Sequence, residues 1–386
     1  MGNVYILGGL RSYTGVENGM YKNIPAEELG AEVLKKTIQR AGVKESDINL
    51  VIAGNAVGAG GNIARLMTLT AGLSEEIPAF TVDMQCGSGL ESIAIAASKI
   101  KSGFADLIVA GGFESSSTAP RRAYNKNHPD YEKYGGEAGW YKVAKFVPDS
   151  HEQTAMLEGA ERTALFNDIT RRDLNKWVLK SHEAAKKARE SGVLKDIVTT
   201  VKACAAKDEG IRERMTERFL DRLPCVLKEG EVITAANACL TNDGAAFVVL
   251  CSEEYLKKNN LKVEAEFIDI CEIGSSPSKS PESVIKAIDR LLCKNNLTPE
   301  DIDIYECNEA FAVIDELFAR KYPKQVKDYN IFGGALAYGH PYGASGAMIM
   351  LHAIKALEHR DGKLALCGIA AAGGVGSAVL IRKTGK

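Results

Sequence analysis

Cys86 lies in the run Val82-Asp83-Met84-Gln85-Cys86-Gly87-Ser88-Gly89-Leu90. The pattern places it between a strand and a helix, at the helix N-terminus. The positive end of the helix dipole and its unpaired N–H groups favour a thiolate there. Gly87 and Gly89 strip side chains from the approach, so a ligand can reach the sulfur. A core cysteine has no use for such bare surroundings. A nucleophilic thiol also needs a partner that manages protons. His340 stands in Gly333-Gly334-Ala335-Leu336-Ala337-Tyr338-Gly339-His340-Pro341-Tyr342-Gly343-Ala344-Ser345-Gly346. It precedes a second helix as Cys86 opens the first. Asn308, in Asn308-Glu309-Ala310-Phe311-Ala312, follows a strand. It offers either a donor for a developing oxyanion or a helix cap, and spacing does not separate the two. His182 is expected on the surface of a charged helix and His352 in helix packing. His128, His151 and His359 carry no signal.

These side chains need elements to hold them. In the N-terminal third, residues 4–7 form an apolar run closed by Gly8-Gly9. Leu29, Val33, Leu34 and Ile38 mark a helix over 26–40 by their spacing. Strands are expected at 50–53 and 80–84. Leu90, Ile93, Ala94, Ala97 and Ile100 mark the helix after Cys86, and 107–110 is a continuous apolar strand. The C-terminal third repeats the scheme, with a helix at 283–292 and a strand at 302–306. A helix opens near Ser345, and a strand at 364–371 runs into Gly373-Gly374. Such alternation predicts an α/β chain with a mostly parallel sheet covered on both faces. The repeat is visible in letters. KESDINLVIAGNA at 44–56 answers TPEDIDIYECNEA at 298–310, GSGLESI at 87–93 answers GASGAMI at 343–349, and AGG at 110–112 answers AGG at 372–374. Their common order implies two homologous halves, 1–115 with a closing strand in 231–255, and 256–386. The segment 116–230 between them has few strand signals and carries 22 Lys and Arg against 18 Asp and Glu. It reads as a solvated helical insertion whose positive balance suits a phosphate-bearing ligand.

Composition bounds the function classes. The 386 residues carry 48 Lys and Arg against 50 Asp and Glu, a formal net charge of -2. Nucleic acid and anionic membrane are thereby excluded as main partners, since both favour a large positive excess. The nine cysteines show no C-x-x-C spacing, and the histidines form no metal-like pair, so no metal site is expected. Scattered thiols in a chain this long read as reduced and cytoplasmic. The longest apolar stretch, 364–381, is too rich in glycine to span a membrane.

QCGSGLES, NEAFA and GGALAYGHPYGASGA resemble the three signature blocks of the thiolase family, in the same order and at the same separations. Gly61-Asn62-Ile63-Ala64-Arg65 and the stretches beginning at Thr234 and Asn242 extend the likeness over essentially the whole chain. The resemblance implies a five-layered αβαβα fold of two similar halves, with a mainly helical loop domain over coenzyme A. Cys86 would carry the acyl group as a thioester. His340 would activate it and, with a water held by Asn308, form one oxyanion hole. The backbone N–H groups of Cys86 and Ala372 would form the other. The implied reaction converts 3-oxoacyl-CoA and CoA into acyl-CoA and acetyl-CoA, or runs the condensation in reverse. Coenzyme A is then substrate rather than bound cofactor, and a homodimer or homotetramer in fatty acid metabolism is implied.

The sequence also departs from the family. A second cysteine usually precedes the terminal turn as C-x-G-G-G-x-G and moves the proton on the acetyl α-carbon. Anchored on the glycines, Ala370 holds that position here and Ala372 that of the first glycine. Cys367 lies three residues upstream, about 10 Å away along a strand and on its opposite face, which suits core rather than catalysis. Cys239 stands where many members have serine, near the pantetheine arm. It is a second acid/base candidate beside His340, or a thiol swapped in at a contact site. Cys307 should point away from the site. Ala238, Cys239, Met156 and Phe311 are the expected substrate contacts, with Ala155 where a histidine often precedes the methionine. Three readings follow: an active thiolase, a thiolase-fold enzyme impaired in the carbon–carbon step, and an acyl-CoA-binding scaffold. Retention of Cys86, Asn308 and His340 weighs against the last.

Overall fold

The computed structural model describes residues 2–141, 144–148 and 154–384. The N-terminal part runs β1 (Val4–Ser12), the two-residue β2 (Gly15–Val16), α1 (Ala26–Ala41), β3 (Leu50–Gly54), α2 (Ile63–Thr70), β4 (Ala79–Val82), α3 (Ser88–Lys101) and β5 (Leu107–Ser115). The middle segment contributes α4 (Ala155–Phe166), α5 (Arg171–Ser191), β6 (Val198–Thr199) and α6 (Glu217–Leu220). Then follow β7 (Asn242–Ser252), α7 (Glu253–Asn259), β8 (Ala265–Gly274), α8 (Glu282–Lys294), β9 (Ile304–Cys307), α9 (Ala312–Lys321), α10 (Ala335–Tyr338), α11 (Tyr342–Arg360), β10 (Leu364–Ala371) and β11 (Val375–Lys383).

The main strands follow the order β4-β3-β5-β7-β1-β8-β11-β10-β9. Pairing repeats on either side of the β1–β8 junction. β3 runs parallel to β5 with Leu50 opposite Ile108, and β9 runs parallel to β10 with Ile304 opposite Ala365. β7 is antiparallel to β5 and β1, as β11 is to β10 and β8.

Strand alternation sorts side chains into layers. Ile52, Ile108, Cys367 and Ile369 join one central apolar cluster with Leu90 and Ile93 of α3 and Met350 and Leu351 of α11. Val51, Ala53, Leu107 and Val109 face α1 and α2 instead. Leu366, Ala370 and Leu380 face α8 and α9. The result is five layers: α1/α2, the N-half strands, α3/α11, the C-half strands, α8/α9. Every residue of α11 from Gly343 to Leu357 is buried, which is why that helix lacks a polar face.

Glycines let the two central helices touch backbone to backbone. A Cβ on Gly89 would lie 2.5 Å from the Gly343 carbonyl, and one on Gly346 would collide with the Leu90 backbone. Gly89 was expected to clear the approach to sulfur; it makes room for α11 instead. β1 also differs from expectation. It does not close at Gly8-Gly9 but bulges there, with a register shift between Ile6 and Gly8 and Gly8 at φ +118°, and continues to Ser12. The strand expected at 302–306 starts at Ile304, because Thr298 and Asp301 cap a 3₁₀ turn over Pro299–Asp301.

Gly346→Ala is expected to destabilise the protein by about 1–3 kcal/mol through overpacking. Gly274→Ala, whose added carbon meets nothing within 4 Å, should stay within about 0.5 kcal/mol. Urea unfolding midpoints of the two variants check this; equal shifts would show that the α3–α11 approach is not limiting.

Candidate active site

Cys86 sits on a sharp elbow between β4 and α3. The preceding residue, Gln85, is held at φ +51°, a left-handed conformation that costs about 1–3 kcal/mol for such a side chain. Three bonds hold the elbow. Gln85 N–H donates to Asp83 Oδ1 at 2.9 Å, Met84 N–H to Ser88 Oγ at 2.8 Å, and Ser88 Oγ to the Gln85 carbonyl at 2.6 Å. The sulfur is thus turned inward, and Cys86 is only 8% exposed. The backbone N–H groups of Ala372 and of Cys86 itself face the sulfur.

His340 is buried ahead of α11, and its ring is fixed at both nitrogens. Ser345 Oγ donates to the Pro341 carbonyl at 3.0 Å, so its lone pairs face His340 Nδ1 at 2.6 Å. Nδ1 therefore carries the proton. Nε2 keeps its lone pair and receives Asn308 Nδ2–H at 3.4 Å, an assignment that follows from the bonding pattern. Asn242 Oδ1 accepts His340 N–H at 3.0 Å, and the Tyr342 ring stands edge-on to the imidazole at 4.9 Å. Asn308 follows β9, its own N–H donating to the Gly368 carbonyl at 2.9 Å. It is not a helix cap, since α9 opens four residues later. Glu309 ties this loop to the one leading to His340, accepting from Ser181 Oγ, Asn330 Nδ2 and Leu336 N–H.

Burial governs the electrostatics. It pushes the Cys86 thiol up to about 12, against the pull of the Ala372 and Cys86 N–H groups. It lowers His340 to about 3. At neutral pH the pair is thiol and neutral imidazole. The thiolate expected from the helix end is not the resting state, because a helix dipole contributes about 0.3–2 kcal/mol and burying a charge costs more.

The structure gathers most of the expected residues and separates one. Cys239 is half-buried, but its thiol sits deep and close enough to Cys86 that each charge opposes the other. Ala238 pairs across to Phe311, while Met156 on α4 reaches the margin of the same apolar cluster. Cys367 is not at the site. It is wholly buried against α11, its Sγ donating to the Ile349 carbonyl at 3.8 Å, and its candidacy as an acid/base is withdrawn. Cys307 packs in the outer C-half cluster with Ala370. His182, expected at the surface, is buried and accepts Arg212 N–H at Nδ1.

Glu114 escaped the sequence reading. Buried at the end of β5, it accepts from Asn55 Nδ2, Ala56 N–H, Val57 N–H and Gly343 N–H at 2.9–3.1 Å. Burial pushes its carboxyl up to about 7 in spite of the three backbone donors. The signal was a carboxylate inside an apolar strand. Ser345 was equally hidden, since its role exists only once the helix turn brings it under His340. Among the described residues no group of three His, Cys, Asp or Glu could hold a metal ion.

A thiol facing two backbone N–H groups, together with a neutral imidazole whose Nε2 lone pair meets one long amide bond, is equipped to move acyl groups between thiols. Fold and site together define an acyltransferase. Residues 4–254 match the thiolase N-terminal domain and residues 261–383 the thiolase C-terminal domain. The chain belongs to the thiolase family. It is 33% identical, over 98% of each chain, to a Bacillus subtilis (strain 168) protein provisionally named acetyl-CoA C-acetyltransferase. The Bacillus anthracis acetyl-CoA acetyltransferase superposes with a TM-score of 0.92 at 29% identity, covering 100% of this chain and 99% of that one. Human mitochondrial 3-ketoacyl-CoA thiolase in complex with CoA superposes at 0.90 and 30% identity, covering 100% and 98%.

Because burial keeps Cys86 protonated, its rate of alkylation by iodoacetamide should rise steadily from pH 6 to pH 9 without a plateau. Mass spectrometry of the Cys86 peptide over that range provides the check. A plateau below pH 8 would reveal a stabilised thiolate.

Proposed function

We propose that the chain carries out thiolase chemistry through a Cys86 thioester, with coenzyme A as the carrier thiol. What supports this reading most is the Ser345–His340–Asn308 chain, which puts the imidazole proton on Nδ1 and leaves Nε2 as an acceptor, with Tyr342 between it and Cys86. When a 3-oxoacyl-CoA enters, His340 Nε2 takes the Cys86 proton. The sulfur adds to the 3-keto carbon, while the thioester carbonyl of the substrate meets His340 and an Asn308-held water. The C2–C3 bond breaks, leaving an acyl group on Cys86 and an enolate on acetyl-CoA. The N–H groups of Cys86 and Ala372, which face sulfur in the free site, suit the oxygen of the carbon bound to Cys86. The enolate takes up a proton at C2, incoming CoA thiol gives one up as it attacks the thioester, and Cys86 leaves and recovers its own proton from His340. Condensation is the same path reversed.

The segment 116–230, with its positive balance, covers the CoA, and the halves 1–115 with 231–255 and 256–386 form the two sides. Ala238, Met156 and Phe311 line the acyl and pantetheine path. We place the enzyme in the cytoplasm, in fatty acid metabolism, as a homodimer or homotetramer. No described helix is long and apolar enough to cross a membrane. The outer edge of β4, where Asn62 Nδ2 meets the Ala79 carbonyl but no described strand pairs, and the exposed Leu66 and Leu69 on α2 support assembly of copies, since open sheet edges are normally covered.

Acetoacetyl-CoA thiolysis tests the reading. Cys86→Ala should lose roughly three orders of magnitude or more in kcat and form no acyl adduct by intact mass. His340→Ala should lose about 10²–10⁴-fold. Full activity in Cys86→Ala would sink the assignment.

A further inference from the structure

Carbon–carbon cleavage leaves an enolate that must be protonated at C2, and condensation needs the reverse step. His340, once protonated, donates to the thioester oxygen on which the enolate charge gathers, so C2 needs a proton donor of its own. The other titratable groups around the sulfur are Asp83, Glu114, Cys239 and Tyr342. Asp83 is exposed and engaged with Gln85 N–H. Glu114 has both oxygens occupied by N–H donors that it cannot release without freeing the start of α11.

Cys239 is placed differently. It lies on a short extended run threaded between the two loops that bear Asn308 and His340. Ala238 bridges to Phe311, Cys239 N–H donates to the Ala310 carbonyl at 2.9 Å, and Thr241 bridges to His340. The run is anchored at both ends, so Cys239 cannot drift. Its charge couples to Cys86 and to Tyr342. Its sulfur is faced by its own backbone N–H, whereas the thiols of Cys204, Cys271 and Cys367 each donate to a carbonyl. The apolar cluster against which Cys239 packs also contains Ala370, Cys271 and Cys307; Cys307 is wholly buried on β9 and Cys271 bonds the Glu272 carbonyl on β8.

We propose that Cys239 is the acid/base that moves the C2 proton. The proposal rests on the Cys86 thioester reading. In cleavage, the C2–C3 electron pair goes to C2 and takes the proton from Cys239 S–H, leaving a Cys239 thiolate opposite the His340 imidazolium. In the second half, that thiolate takes the proton of the incoming CoA thiol as its sulfur attacks the thioester. Cys86 leaves and is reprotonated by His340, so no proton or electron is left over. In condensation the Cys239 thiolate removes the C2 proton. Burial raises the Cys239 thiol above its ordinary value, which keeps it protonated and ready to donate in the cleavage direction.

The test compares the wild type, Cys239→Ala, Cys239→Ser and Tyr342→Phe in three assays. Thiolysis of acetoacetyl-CoA reports the full reaction, and deuterium uptake at the acetyl-CoA methyl group in heavy water reports C2 proton transfer. Exchange of labelled CoA into acetyl-CoA reports the Cys86 half alone. Both Cys239 variants should lose about 10²–10⁴-fold in thiolysis and deuterium uptake, with a loss in CoA exchange at least ten-fold smaller. Thiolysis by Cys239→Ala within three-fold of wild type would overturn the proposal. So would an equal loss in all three assays, which would mark a packing role. Loss of deuterium uptake in Tyr342→Phe but not in Cys239→Ala would transfer the task to the phenol. A wild type inert in CoA exchange would instead sink the Cys86 reading on which the proposal stands.

Discussion

The carbonyl of Gly343 occupies a space where almost nothing else fits. Added carbons on Gly54, Gly89 or Gly112 would each press against it. Four glycines from two halves of the chain therefore meet at one peptide group, and Glu114 secures the same place through Gly343 N–H. Cys86 lies just before one helix of this crossing and His340 just before the other. Their separation is set by how closely two backbones pass. A single methyl group in this crossing would move nucleophile and base apart.

Burial then decides the chemistry. Enclosed by these helices, the thiol and imidazole are both held neutral, and neither is reactive by itself. The site answers with fixed donors rather than fixed charges. Ala372 and Cys86 supply backbone N–H groups, Ser345 selects the imidazole tautomer, and Asn308 meets the remaining nitrogen. Preorganised dipoles in a buried pocket gain strength from the low dielectric that suppresses ionisation. The acyl-transfer function shown by the family thus rests on geometry in which charge appears only during turnover.

The elements that position the site were largely legible. Apolar spacing located α1, α3, α8 and β10 closely, because their buried faces follow simple periods. The echo between 44–56 and 298–310 reappears as the shared register of β3 with β5 and β9 with β10. Three site residues were visible because each interrupts a pattern: a thiol followed by two glycines, a histidine in a glycine-dense run before a helix, and an asparagine after a strand. Other features depend on long-range contacts that local spacing does not encode. Gly89 could not be known to serve α11 until Gly343 was seen against it. Gly8 resembles a turn in letters and is a bulge in the sheet. Glu114 finds its four donors on the 55–57 loop and on α11, and His182 meets Arg212 thirty residues on. Cys367 and Cys239 were both open as acid/base candidates; strand alternation sent one into the core, and two β-bridges brought the other to the site.

The position of β7 carries a consequence for how the molecule comes into being. β7 lies between β5 and β1 in the sheet, yet follows β5 only after the whole 116–230 segment. While a ribosome has made only the first half, β1 and β5 each expose a long apolar edge with its proper neighbour still unsynthesised. Such edges invite pairing with other chains. The nascent N-terminal half is therefore an incomplete sheet that must be shielded until residue 252 has emerged, and folding of the catalytic elbow waits on a strand made far downstream.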